Sequence, residues 1–208
     1  MSTDAAKKIF DELNKIFPDA KCELDFTNLY ELLIAVMLSA QATDKRVNIV
    51  TPNLFKKYPT VESLANANIN EVKEIIASIG LYHSKAKNII ATSQDIINKY
   101  GGKVPNNFED LISLPGVGRK TANVVLSVGF NIPAIAVDTH VARVSQRLGL
   151  SKSSNVIEIE EDLKKVFDKE DWSKAHHLLL LFGRYICTAR NPKCHECPFK
   201  CNCHNTTK

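Results

Sequence analysis

Residues 110–125 read DLISLPGVGRKTANVV. Leu111 and Ile112 close one run of helical apolar spacing, Pro115 interrupts it, and Thr121 to Val128 resume it. Proline disfavours helix at the residue before it, while Gly116 and Gly118 tolerate positive φ and close backbone approach. The stretch therefore predicts helix, tight turn, helix. The second helix opens with unpaired N–H groups and the positive end of its dipole. Such an end attracts anions, and without side chains at the glycines a phosphodiester reaches the amides directly. The GxxxxGK[ST] spacing is absent and no strand precedes, so this is not a P-loop. An ordinary tight αα-turn is the simpler reading.

Working outward, almost every segment has the same spacing. Ile9, Phe10, Leu13, Ile16 and Phe17 follow i, i+3, i+4, i+7 after a cap at Ser2 or Thr3, and Pro18 ends the run. LYELLIAVMLSA from Leu29 reads as a helix apolar on most sides, hence buried. Thr43 caps a further helix reaching Tyr58-Pro59, and helical patterns follow at 60–66, 70–79, 83–99, 107–114, 118–129, 139–148, 154–167 and 173–187. No stretch alternates with period two between turn signals, so the fold class is all-α. Residues 74–89 lie over residues 110–125 at an offset of 36, pairing Gly80 with Gly116 and Ala86 with Ala122. This is either an internal repeat or chance similarity between two amphipathic hairpins. The second hairpin carries Lys120 where the first carries Ser84, so the turn itself does not demand lysine.

The 208 residues carry 27 Lys+Arg against 23 Asp+Glu, a net charge of +4 (27 − 23), and are 44% hydrophobic. That apolar content excludes disorder as the main state. The longest apolar run, Leu32 to Leu38, is seven residues, far short of the roughly 20 a bilayer requires. MSTDAAKKIF has no apolar h-region, so no secretory signal is expected.

Three features carry chemistry. Lys120 falls in the first turn of its helix, where the dipole and Arg119 both oppose a cation, so it is either a phosphate-binding lysine or an amine for imine chemistry. Asp138, just before the run from Val141 to Leu148, is an N-cap, a catalytic carboxylate or both, and His140 follows it as a lone histidine. Five of six cysteines crowd into the last 22 residues, apart from Cys22. Cys187-x6-Cys194-x2-Cys197-x5-Cys203, with Cys201 as an extra candidate, places four thiolates within 17 residues. That set holds tetrahedral zinc, which His195 and His204 keep open, or a four-iron, four-sulfur cluster. A single CxxC with unequal arms leans away from zinc. The loop between the first two ligands presents Arg190 and Lys193, suited to a phosphate backbone or simply solvated.

Taken together, LPGVGRKTA (114–122), VDTH (137–140), LSAQATD (38–44), GLYHSKA (80–86) and the cysteine tail resemble the endonuclease III family over essentially the whole chain. These are DNA-repair glycosylases of the helix-hairpin-helix superfamily. The resemblance implies two helical domains flanking a DNA-binding cleft. One is a six-helix domain over 22–132 with the helix-hairpin-helix at about 107–129. The other joins 1–21 to 133–208 and carries a [4Fe-4S] cluster in the loop 187–203. It implies Lys120 as nucleophile, Asp138 as its carboxylate partner, and Cys187, Cys194, Cys197 and Cys203 as ligands. Gln41 and Leu81 would enter the duplex in place of a flipped base, and Gly116, Gly118, Arg119, His140, Arg190 and Lys193 would contact DNA. The implied protein is a cytoplasmic monomer of a bacterial or archaeal cell. It acts on double-stranded DNA containing damaged pyrimidines or abasic sites, with no membrane partner. A monofunctional adenine- or thymine-mismatch glycosylase and a non-catalytic DNA-binding module are the alternatives. The lysine argues against mismatch enzymes, and the adenine type is expected to carry a further C-terminal domain beyond the cluster.

Overall fold

The computed structural model describes residues 1–200 and 203, and among them every regular element is a helix. The chain divides into two compact units. Residues 23–131 form one; residues 1–22 and 132–208 form the other.

The continuous unit is built around α2 (Leu29–Ser39), capped by Asn28, whose side chain accepts from Glu31 N. Leu32, Leu33, Ile34 and Leu38 are fully buried, each worth roughly 1.5–3 kcal/mol relative to exposure. Around it lie α3 (Asp44–Lys57), α4 (Val61–Ala65), α5 (Ile69–Ile75), α6 (Tyr82–Tyr100), α7 (Phe108–Ser113) and α8 (Arg119–Val124). Thr43 caps α3 through Arg46 N, as its place in the sequence predicts. These are seven α-helices among the described residues, against six implied by the resemblance. The shortest, α4, closes on a capping box between Thr60 and Ser63.

The helix expected over 118–129 changes pitch instead of running through. α8 ends at Val124 and a π-helical turn spans Val125–Gly129. A Cβ on Gly129 would lie 2.7 Å from Leu29 Cδ2 and 2.9 Å from Leu32 Cδ2, so this turn packs directly on α2.

The second unit takes its core from both chain ends. α1 (Thr3–Ile16), capped by Ser2, buries Ala6, Ile9 and Leu13. It packs on α10 (Val156–Val166) and α11 (Trp172–Tyr185), and α11 packs in turn on α9 (Thr139–Arg147). Val141, Val144, Ile159, Leu163, Leu178, Leu179 and Phe182 complete the core, with Phe199 of the tail. Gly183 lets α9 and α11 approach closely: a Cβ there would sit 2.9 Å from His140 Cβ and 3.0 Å from Val144 Cγ2. Among the described residues, no helix is long and apolar enough to cross a membrane.

Candidate active site and cysteine cluster

The turn between α7 and α8 is held from behind by α6. Thr92, fully buried, donates from Oγ1 to Pro115 O at 2.7 Å. Gly116 has φ +76, and a Cβ there would lie 2.6 Å from Nδ2 of Asn88. Glycine is required on both counts. Gly118 departs from the sequence expectation: its φ is −96, and nothing lies within 4 Å of a Cβ built on it. Backbone strain therefore does not explain this glycine. It is the N-cap of α8 and supplies no side-chain cap, so the first amides of that helix open onto an exposed position. Lys120 stands half-buried in this first turn. The guanidinium of Arg119 lies over the Phe108 ring, 4.9 Å from its centroid.

The first hairpin is not a copy of the second. The left-handed residue is not Gly80 but the next one, Leu81, at φ 61, which is 60% exposed and precedes α6. Gln41, after the end of α2, is also left-handed at φ 55 and exposed. A Cβ on Gly80 would lie 3.6 Å from Gln41 O, so the two turns adjoin. Each left-handed non-glycine residue stores about 1–2 kcal/mol.

In the second unit, Asp138 caps α9. Its Oδ1 accepts from His140 N at 2.9 Å and from Val141 N at 2.8 Å. His140 is half-buried, with Nδ1 3.2 Å from Nη2 of Arg143. Arginine only donates, so Nδ1 accepts and a neutral imidazole carries its proton on Nε2. Arg143 and Arg147 were not singled out by the sequence, although an arginine pair at i, i+4 marks one face of α9. Arg143 donates to Gly183 O at 2.7 Å and to Cys187 O at 3.0 Å. Arg147 donates to Cys187 Sγ at 3.3 Å and to Thr188 O at 2.9 Å. Burial pushes the Arg143 pKa below its usual range, with Arg147 beside it acting in the same direction.

Cys187, Cys194, Cys197 and Cys203 line one cavity of about 280 Å³. None of the four, nor Cys22, is in a disulfide. Burial pushes the Cys197 thiol up in pKa, a backbone hydrogen bond at Phe199 opposes this, and Cys187, Cys203 and Cys194 add to the rise. Among the described residues no three His, Cys, Asp or Glu converge tightly enough for a single metal ion. Four thiols around one cavity are a donor set that suits an iron–sulfur cluster. Arg190 and Lys193 are exposed on the connecting loop, where Thr188 Oγ1 donates to Arg190 O at 2.8 Å and Asn191 takes φ 51. Cys201 and His204 lie outside the described residues.

Known proteins match these features along the chain. The HhH-GPD superfamily of base excision DNA repair proteins matches residues 34–169. Endonuclease III of Bacillus subtilis (strain 168) is 52% identical over 95% of this chain and 91% of its own length. Endonuclease III of Haemophilus influenzae is 47% identical over 91% and 90%. Among solved structures, a trapped endonuclease III–DNA covalent intermediate superposes with a TM-score of 0.95 at 50% identity, covering 98% of this chain and 96% of that one. A thermostable thymine-DNA glycosylase is further away, with a TM-score of 0.85 at 25% identity over 97% and 96%. With Lys120 behind the glycine turn, Asp138 capping α9 and the cysteines around one cavity, this chain belongs to the endonuclease III family of the HhH-GPD base excision DNA repair superfamily.

Proposed function

We propose that this protein is a bifunctional DNA glycosylase and AP lyase that removes damaged pyrimidines from duplex DNA, acting as a monomer in the cytoplasm. The observation that carries the reading is Lys120, placed half-buried in the first turn of α8 behind the Gly116–Gly118 turn. The open amides at Gly118, with Arg119, suit a phosphodiester of the bound strand. Gln41 and Leu81 fill the gap left when the damaged base is flipped, a step that costs only a few kcal/mol for a poorly stacked lesion.

Lys120 Nζ then attacks C1′ as the glycosidic bond breaks and the base departs with its electron pair, becoming protonated. Asp138 is the carboxylate partner of that attack; its Oδ1 is engaged by the two cap amides, and Oδ2 is left for chemistry. The C1′–O4′ bond then opens, the proton lost from Nζ ends on O4′, and a Schiff base between C1′ and Nζ is left. Removal of a C2′ proton from this imine expels the 3′ phosphate, which cuts the strand 3′ to the abasic site. His140, Arg190 and Lys193 complete the contacts to DNA.

Cys187, Cys194, Cys197 and Cys203 would hold a [4Fe-4S] cluster. When bound, it supplies iron–thiolate bonds that tie the tail back to Cys187 and fix the loop bearing Arg190 and Lys193.

Borohydride trapping tests the catalytic reading. Wild-type protein incubated with oxidised-pyrimidine or abasic duplex should give a covalent adduct, and Lys120→Ala should give none. Base release without any trapped adduct would favour the monofunctional alternative. Binding with neither release nor adduct would favour the non-catalytic one.

A further inference from the structure

Helix α2 ends without glycine. Ala40 is its C-cap and Gln41 takes the left-handed position that glycine usually fills. The last carbonyls of α2 are met instead by a side chain from α6. Lys85 donates from Nζ to Leu38 O at 2.9 Å and to Ala40 O at 2.6 Å, although it is only 7% exposed. The same residue donates its backbone N–H to Leu81 O at 3.0 Å. Lys85 is therefore bonded through its side chain to the residue before Gln41 and through its backbone to Leu81 itself.

Burial lowers the pKa of this ammonium, so the fold accepts an unfavourable charge where an apolar side chain would pack more easily. The end of α2 is also the negative end of its dipole, which suits a cation. What the cation secures is a pair of exposed residues that contribute little to the core: Gln41 is exposed and Leu81 is 60% exposed.

We infer that Lys85 is a positioning residue for lesion recognition: its ammonium locks the end of α2 to the start of α6, so that Gln41 and Leu81 enter the duplex at a fixed spacing. The inference rests on the insertion role proposed above for those two residues. In it, Lys85 touches no DNA. It lowers the conformational freedom that Gln41 and Leu81 would otherwise lose on binding.

The test measures Kd by fluorescence anisotropy for a duplex with a central tetrahydrofuran abasic analogue and for the same duplex undamaged, using the full chain. Lys85→Met should reduce the preference for the abasic duplex about tenfold and leave undamaged binding unchanged, because preorganisation and not contact is lost. Gln41→Ala with Leu81→Ala should reduce it at least as far. Adding Lys85→Met to that pair should then cost nothing further, a non-additivity that a purely structural role would not produce. Lys85→Arg, which keeps a cation on the carbonyls, should restore part of the preference, and it serves as the second variant if Lys85→Met unfolds. Equal weakening on both duplexes, or an additive triple variant, overturns the role of Lys85 while the insertion reading stands. If Gln41→Ala with Leu81→Ala keeps the full abasic preference, the insertion reading falls and this inference falls with it.

Discussion

Arg147 reaches from the last turn of α9 to Cys187, with Nη1 3.3 Å from Sγ and 2.9 Å from the neighbouring Thr188 carbonyl. One planar cation thus holds a cavity-lining cysteine and the start of the exposed loop. Arg147→Met should cost about 1–3 kcal/mol, the range for hydrogen bonds to a charged group. In a chain of this size that is a drop of roughly 2–12 °C in Tm, taking about 2–4 °C per kcal/mol. Arg147→Lys should recover little, since an ammonium cannot reproduce the two fixed directions of the fork. Differential scanning calorimetry checks both; an unshifted Tm for Arg147→Met would show that these bonds contribute nothing net.

The two turn glycines should separate. Gly116→Ala combines a left-handed φ with a Cβ 2.6 Å from the Asn88 amide, so it should destabilise by about 2–4 kcal/mol. Adding Asn88→Ala should recover only the steric part. Gly118→Ala meets no neighbour and needs no unusual φ, so its stability should stay within about 0.5 kcal/mol of wild type. Its DNA affinity should fall all the same, because the new methyl occupies the approach to the α8 amides. Chemical denaturation paired with binding titrations resolves the two effects, and unchanged binding by Gly118→Ala would remove the phosphate from that turn.

Asp138 should divide into two roles under substitution. Asn retains an oxygen for the amides of His140 and Val141 but carries no charge. Asp138→Asn should therefore keep the cap and lose turnover, whereas Asp138→Ala should lose turnover and about 1 kcal/mol of stability. Single-turnover base release and thermal melts on the same preparations separate them. Full activity in Asp138→Asn would reduce the residue to a cap.

The cofactor proposal predicts yellow-brown protein with stoichiometric iron and sulfide. Cys197→Ser, which removes a thiol lining the cavity, should bleach it. Cys201→Ser should leave the colour intact. Colourless wild-type protein with one zinc per chain would reverse the assignment.

Much of this was legible because the signals are local. Ser2, Thr43 and Asp138 cap helices where short polar side chains precede apolar periodicity, and the apolar run at 32–38 could only be a buried helix. Gly116 was legible for the same reason: proline and glycine punctuate a chain by their own covalent geometry. The shift of the left-handed residue from Gly80 to Leu81 was not, because it depends on where the end of α2 lies. Neither was the π turn at 125–129, where Val125, Leu126, Ser127, Val128 and Gly129 fit either pitch and packing on Leu29 and Leu32 decides. Arg143, Arg147 and Lys85 share this cause. Their partners lie 40 or more residues away, so no window of sequence contains both ends of the bond.

A unit assembled from both chain ends sets an order of events at the ribosome. Ala6, Ile9 and Leu13 of α1 are made first, yet Phe182, in the same core, emerges 166 residues after Ile16 (182 − 16). At synthesis rates of about 5–20 residues per second the apolar face of α1 stays uncovered for roughly ten to thirty seconds. Meanwhile residues 23–131 can close by themselves, carrying Lys120 and both left-handed turns. A chain aborted between residues 131 and 138 would own the amine but not Asp138, and would leave α1 seeking a partner.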